Sequence, residues 1–171
     1  TFDEYIQVNE LAKQLVVSPP LSQAPEARVK KKTLIVELTD SLLPNTTYTL
    51  NFGNAIGDLN EGNAIPYSYV FSTGDFVDTL SVTGSVMNAR ERVPVKDVKV
   101  MLYKEDMDSL PYTTNPLYFG ITDSAGNFRV SNISAGTYKI VALKETNNNY
   151  IMDSPDEEVG YLPERVTAGS S

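Results

Sequence analysis

Apolar and polar residues alternate with a period of two through most of the apolar stretches, the spacing that sends successive side chains to opposite faces of a strand. Tyr48, Leu50 and Phe52 alternate with Thr47, Thr49 and Asn51. After a loop rich in Gly, Asn and Asp, Tyr67, Tyr69 and Phe71 alternate with Ser68, Val70 and Ser72. Both stretches predict half-buried strands facing one core. Upstream, Phe2–Ile6 and Gln14–Val17 are shorter strand candidates, the second stopped by Pro19 and Pro20, which lack the amide donors a ladder needs. Ala27–Lys30 and Thr33–Leu38 flank the polar pair Lys31 and Lys32, which predicts a hairpin with Leu34, Val36 and Leu38 on one face. The lysines there read either as solvated turn and edge charges that discourage edge-to-edge pairing or as an anion site.

The second half has the same grammar. Leu80–Gly84 reads as its first strand, and Asp123–Asn127 is a turn in which Gly126 can take a positive φ. Phe128 and Val130 then share a strand face, Ala135-Gly136 reverses the chain, and Tyr138, Ile140 and Ala142 mark the inner face of the next strand. Met107–Asn115 is polar, contains Pro111 and precedes Pro116, so it predicts a long exposed loop ahead of a strand at Leu117–Ile121. After Leu143 the alternation dissolves, and Val159–Leu162 returns as an edge-strand candidate. The boundary falls at Ser72–Asp75. The prediction is an all-β chain of two tandem β-sandwiches, residues 1–74 and 75–171, with a junction short enough to limit their relative freedom.

Two families are resembled. Asn45–Gly53, Ala55–Asp58, Gly62-Asn63 and Tyr69–Gly74 look like the bacterial Ig-like domain first described in surface-layer proteins, a match over residues 1 to about 74. That family's first strand would precede Phe2, so either the sequence starts inside the domain or this member is shortened. Gly84–Val86, Pro94–Leu102 and Thr122–Tyr138 resemble the carboxypeptidase regulatory-like domain, a small transthyretin-like β-sandwich that is usually non-catalytic. The resemblances imply a structural or interaction module of an exported cell-envelope protein of Bacteroidota type. Such a protein would sit in the periplasm or at the outer-membrane surface, lipid-anchored upstream of this stretch. Its partners would be other domains of a longer chain or envelope proteins. A glycan-binding module of a saccharide-uptake system is the alternative, and a carboxylate-based hydrolase the third reading.

Charge and composition narrow the chemistry. The net charge of −8 repels phosphate backbones and anionic lipid, which argues against nucleic acid as a partner. The chain has no Cys and no His, which removes disulfides, thiolates, the usual general base near neutral pH and the triad partner of serine. Catalysis would have to run on carboxylates, lysine or tyrosine, and the acidic residues fall mostly in turns and on exposed strand phases, so no enzyme is expected. No apolar run approaches the roughly 18 residues of a membrane span, and no signal-peptide layout is present. Because Thr1 opens directly on strand-forming residues, the sequence reads as a piece of a longer protein.

Three sets of residues carry candidate chemistry. Glu145, Asn147 and Asn149, followed by Asp153 and Asp156, place oxygens at alternate loop positions, the way calcium loops satisfy a hard cation. Tyr150 stands where such loops have their turn glycine, and the competing reading is a hydrogen-bonded Asn-rich turn. No other cofactor is expected. Ten Tyr without a Trp invite sugar stacking. Tyr48, Tyr69 and Tyr138 read as core, whereas Tyr103, Tyr112, Tyr118 and Tyr150 stay open. Finally, Asp40-Ser41-Leu42, Asp78-Thr79-Leu80, Asp108-Ser109-Leu110 and Asp123-Ser124-Ala125 resemble the acceptor triplet of the O-glycosylation system of Bacteroidota. This nominates Ser41, Thr79, Ser109 and Ser124 for modification; the alternative is that Asp-Ser and Asp-Thr are ordinary turn pairs.

Overall fold

The structure, a computed structural model, describes residues 1–64, 66–147 and 149–169. In the first half, β1 (Ile6–Val8) and α1 (Leu11–Gln14) precede β2 (Val16–Ser18), β3 (Glu26–Lys30), β4 (Thr33–Glu37), β5 (Thr47–Asn51), β6 (Ile56–Asp58) and β7 (Ser68–Ser72). They pair antiparallel as β1-β6, β2-β5-β7 and β3-β4. The expected hairpin is present, with Lys30 opposite Thr33 and Lys31 in the left-handed region at φ 57°. Ile6, Val17, Tyr48, Leu50, Phe52 and Ile56 form the core, and Leu34, Val36, Leu38 and Phe71 pack on it. Tyr48 stacks on Phe71 across the strand pair, ring centroids 5.5 Å apart.

One inward expectation fails. Tyr69 faces the sandwich interior by phase, directly beside Leu50, yet it is 53% exposed. The β3-β4 hairpin packs Leu34, Val36 and Leu38 on this core, and the Tyr69 side chain stays largely uncovered. Alternation sets the direction of a side chain and says nothing of whether anything lies above it.

In the second half, β8 (Leu80–Ser85), β9 (Lys99–Tyr103), α2 (Leu110–Thr113), β10 (Tyr118–Ile121), β11 (Asn127–Ile133), β12 (Gly136–Lys144), β13 (Glu158–Tyr161) and β14 (Val166–Ala168) follow. β10-β9-β12-β13 form one antiparallel sheet with β14 also on β12, and β8-β11 form the other. β13 is the expected edge strand. Between the sheets lie Val82, Val100, Leu102, Tyr118, Val130, Ile133, Tyr138 and Ile140. Asp123 Oδ1 accepts the Ala125 and Asn127 N–H groups, and Gly126 turns at φ 74°, where a Cβ would meet Val86 O at 2.6 Å.

The larger sheet is buried on its outer face as well. Met101, Tyr103, Leu110, Phe119, Val141 and Leu143 form a second cluster, joined by Tyr150, Met152 and Val159. The expectation of an exposed loop at Met107–Asn115 is thereby corrected. Its polar residues surround α2, whose Leu110 and Pro111 are buried against this face. The 145–157 loop covers the rest, with Met152 N–H donating to Pro111 O at 2.7 Å.

The halves touch along more than the linker. Val16 of β2 packs into the outer cluster, and Ser18 Oγ accepts the buried Phe119 N–H at 3.1 Å. Asn132 Nδ2 donates to Thr49 Oγ1 at 2.9 Å, while Thr47 Oγ1 donates to Asp78 Oδ2 and accepts the Asp78 N–H, both at 2.8 Å.

Candidate functional site

Lys99 opens β9 on the face that carries Met101 and Tyr103, so strand periodicity sends it under the 145–157 loop. Its side chain is 8% exposed and its ammonium lies against Oε1 of Glu145, itself 2% exposed. The Tyr150 ring centroid is 4.4 Å from Nζ, within the range of a cation-π contact, and the ring packs edge-on against Phe119 at 4.6 Å. Glu145 Oε2 accepts the Tyr150 N–H at 2.8 Å. Glu157, 5% exposed, accepts the Thr146 N–H and hydroxyl on Oε1 and the Asp153 and Ser154 N–H groups on Oε2. Two carboxylates and one ammonium thus pin both ends of the loop to the sheet.

The ionisation follows. Burial pushes Lys99 down to about 8, and the Glu157 charge opposes that shift, so the group is still protonated at neutral pH. Burial alone would raise Glu157. The N–H groups of Thr146, Asp153 and Ser154 and the Thr146 hydroxyl outweigh it and hold the carboxyl below the ordinary range. Tyr150, where a calcium loop has glycine, takes the glycine conformation at φ 63°. Left-handed backbone is costly for a residue with a Cβ, on the order of 1 kcal/mol or more. The ring contacts with Phe119 and Lys99 offset it.

The five candidate calcium ligands divide between two levels. Asn147 and Asn149 both donate Nδ2 to Asp153, at 3.0 and 2.7 Å, and their Oδ1 atoms accept the Asn149 and Ile151 N–H groups. Glu145 lies below them on the ammonium. Asp156 is exposed, with its own N–H donating to Ser154 Oγ at 3.4 Å. Among the described residues no group of three or more acidic side chains converges on a common point.

Ser41, Thr79, Ser109 and Ser124 are all exposed. The aspartate before each is engaged: Asp40 with Ser22, Asp78 with Thr47, Asp108 with Lys139 and Asp123 with its own turn. Of the open tyrosines, Tyr103 and Tyr118 are core, Tyr150 is half-buried and Tyr112 is exposed. The nearest thing to a carboxyl pair in a groove is Glu4 and Asp58. A hydrogen bond that the protonated Glu4 carboxyl donates to Asp58 raises Glu4, and the same bond lowers Asp58. Asp58 Oδ1 is also bound to the Asn60 and Glu61 N–H groups of its turn.

A cleft of about 470 Å³ lies where the halves meet, lined by Ser18, Thr49, Thr79, Arg129, Ser131 and Asn132 among others. Most of these offer hydroxyls or amides, and the Arg129 Nε donates to Ser131 Oγ at 2.9 Å.

Lys99 and Glu157 belong to no motif. The available signal is that Val98–Tyr103 is apolar at both phases apart from Lys99, the pattern of a strand covered on both faces. A charge inside such a run is a buried charge, which needs a partner. Residues 1–73 match the family model of the bacterial Ig-like domain, in agreement with the resemblance carried by Asn45–Gly74. No curated protein and no solved structure matches the chain.

Proposed function

We propose that the chain is a non-catalytic spacer and interaction module of an exported cell-envelope protein. Its Ig-like unit, residues 1–74, and a carboxypeptidase regulatory-like sandwich, residues 75–171, act as one stiff body. What supports this reading is the junction: Val16 inserted in the second unit's outer cluster, with Ser18 and Thr49 accepting hydrogen bonds from Phe119 and Asn132 and Thr47 donating one to Asp78. Bacterial Ig-like domains are typical of extracellular proteins, which fits export. The net charge of −8 suits a soluble, self-repelling surface element. Small-angle scattering tests it. The wild type should fit a single elongated shape, and a broad distribution of interdomain angles would refute the stiff body.

The alternative of glycan binding draws on the hydroxyl-lined cleft between the units, since pockets at domain junctions with a few convergent polar groups favour small ligands. Calorimetric titration of neutral and uronic-acid oligosaccharides decides between the two. Heat abolished by Arg129→Ala would favour the glycan reading, and no heat would leave the spacer.

A further inference from the structure

The sheet itself brings Lys99 and Glu145 together. Lys99 opposes Leu143 in the β9-β12 register, and Glu145 stands two residues beyond Leu143, so its side chain leaves the same face one step along the diagonal. Both side chains are almost fully buried, and Nζ touches Oε1. Apart from that ammonium, Oε1 has no hydrogen-bond partner among the described residues, whereas Oε2 accepts the Tyr150 N–H at 2.8 Å. The Tyr150 ring lies against Nζ, and Phe119 backs the ring.

The molecule's other lysine ion pairs among the described residues are of a different kind. Lys139 meets Asp106 and Asp108, and Lys96 meets Asp97, all with exposed carboxylates. Water keeps those charged. A carboxylate and an ammonium that are both buried carry a desolvation penalty, which a neutral product would relieve. Burial has already moved Lys99 down to about 8, towards the free amine.

We propose that Lys99 and Glu145 condense in the folded protein to a side-chain amide, which joins β9 covalently to the root of the 145–157 loop. The ammonium first passes a proton to Oε1, giving amine and carboxylic acid with no change in total charge. The amine lone pair then attacks Cδ, one bond from the oxygen it touches, and the carbonyl pair moves onto Oε2, where the Tyr150 N–H stabilises it. The nitrogen, positive after attack, yields a proton to Oε1. The electron pair returns from Oε2, the Cδ–Oε1 bond breaks, and Oε1 leaves as water. Amines and carboxylates do not condense in dilute water, but groups held in contact react at an effective concentration on the order of 10⁵ M or more. Once formed under the loop, the amide is shielded from hydrolysis. The free ion pair is the state before condensation, and the charge balance of Lys99 described above belongs to that state.

Mass spectrometry of the full 171-residue chain, folded, held at neutral pH and then denatured, tests it. Loss of one water should lower the intact mass by about 18 Da. Trypsin should fail to cut after Lys99 and should release residues 97–104 joined to residues 145–165. Lys99→Met, which has no nucleophile, should keep its full mass. A wild type that keeps its full mass after prolonged incubation would overturn the proposal, whether or not the variant folds. So would a water loss that fragmentation maps elsewhere, such as a succinimide at an aspartate. The bond does not involve the contacts between the two units, so the spacer reading stands or falls separately.

Discussion

Replacing Lys99 with methionine keeps the length and apolar stem of the side chain and deletes its charge, which isolates what the ammonium does. Glu145 and Glu157 then lie beneath the loop without the Lys99 ammonium, and Glu145, 2% exposed, is the one whose charge keeps, among the described residues, the Tyr150 N–H alone. Removing one partner of a buried pair costs about 3–5 kcal/mol. An independent bound comes from protonation: bringing a carboxyl of ordinary pKa to the neutral form at pH 7 costs about 3.7 kcal/mol, after which no bare charge remains. The two figures agree, and for a unit of this size they correspond to a Tm lowered by about 15–30 °C. The second route also sets a pH signature. In the variant the folded-state pKa of Glu145 is raised above its unfolded value, so the stability it contributes is present below the unfolded pKa and is lost as pH rises. The penalty should therefore be near its full size at pH 7 and shrink to about 1 kcal/mol at pH 5. Urea unfolding at both pH values measures it, with Lys99→Met/Glu145→Gln recovering a large part of the loss at pH 7. A penalty equal at pH 5 and pH 7, or a double variant no more stable than the single one, would refute the reasoning and reduce Lys99 to a packing residue.

Glu157 sets the acid limb: its folded pKa is depressed, so its contribution is complete above the unfolded value near 4.5 and is lost as pH falls through the folded one. Glu157→Gln should flatten the loss of stability below pH 4.5, and an unchanged limb would discount the N–H cradle. Calcium at this loop would have to displace the ammonium from Glu145, so the wild-type Tm should stay flat in millimolar calcium, whereas a calcium site opened by Lys99→Met would add up to about 2.7 kcal/mol at a hundredfold excess over Kd. Magnesium and Lys99→Met/Asp153→Ala are the controls, and a calcium-specific rise in the wild type would show Glu145 turned outward as a ligand. The exposed hydroxyls of Ser41, Thr79, Ser109 and Ser124 should carry hexose-containing mass increments after export from a Bacteroidota host and none after cytoplasmic expression. Unmodified protein from the envelope would return the four triplets to plain turns.

What the sequence disclosed follows from what alternation encodes. Tyr48, Leu50 and Phe52, the hairpin around Lys31, the Gly126 turn and the edge strand at β13 all depend on direction or on local backbone geometry, and each is where the pattern puts it. The misses depend on coverage, a property of distant chain. Tyr69 points inward but is only partly covered by the hairpin residues Leu34, Val36 and Leu38. Leu110 and Pro111 sit in a polar stretch that the larger sheet's outer face recruits. Glu145 heads a loop pattern that reads as a row of oxygens, yet in three dimensions the row folds over a lysine 46 positions upstream, and its first member turns to that charge. Lys99 explains why Tyr150 can stand in a glycine's conformation: a loop folded around an internal ammonium gains a cation-facing ring, where one folded around a metal gains only room. The same substitution that makes the loop look unlike a metal site in sequence is thus what the buried cation calls for.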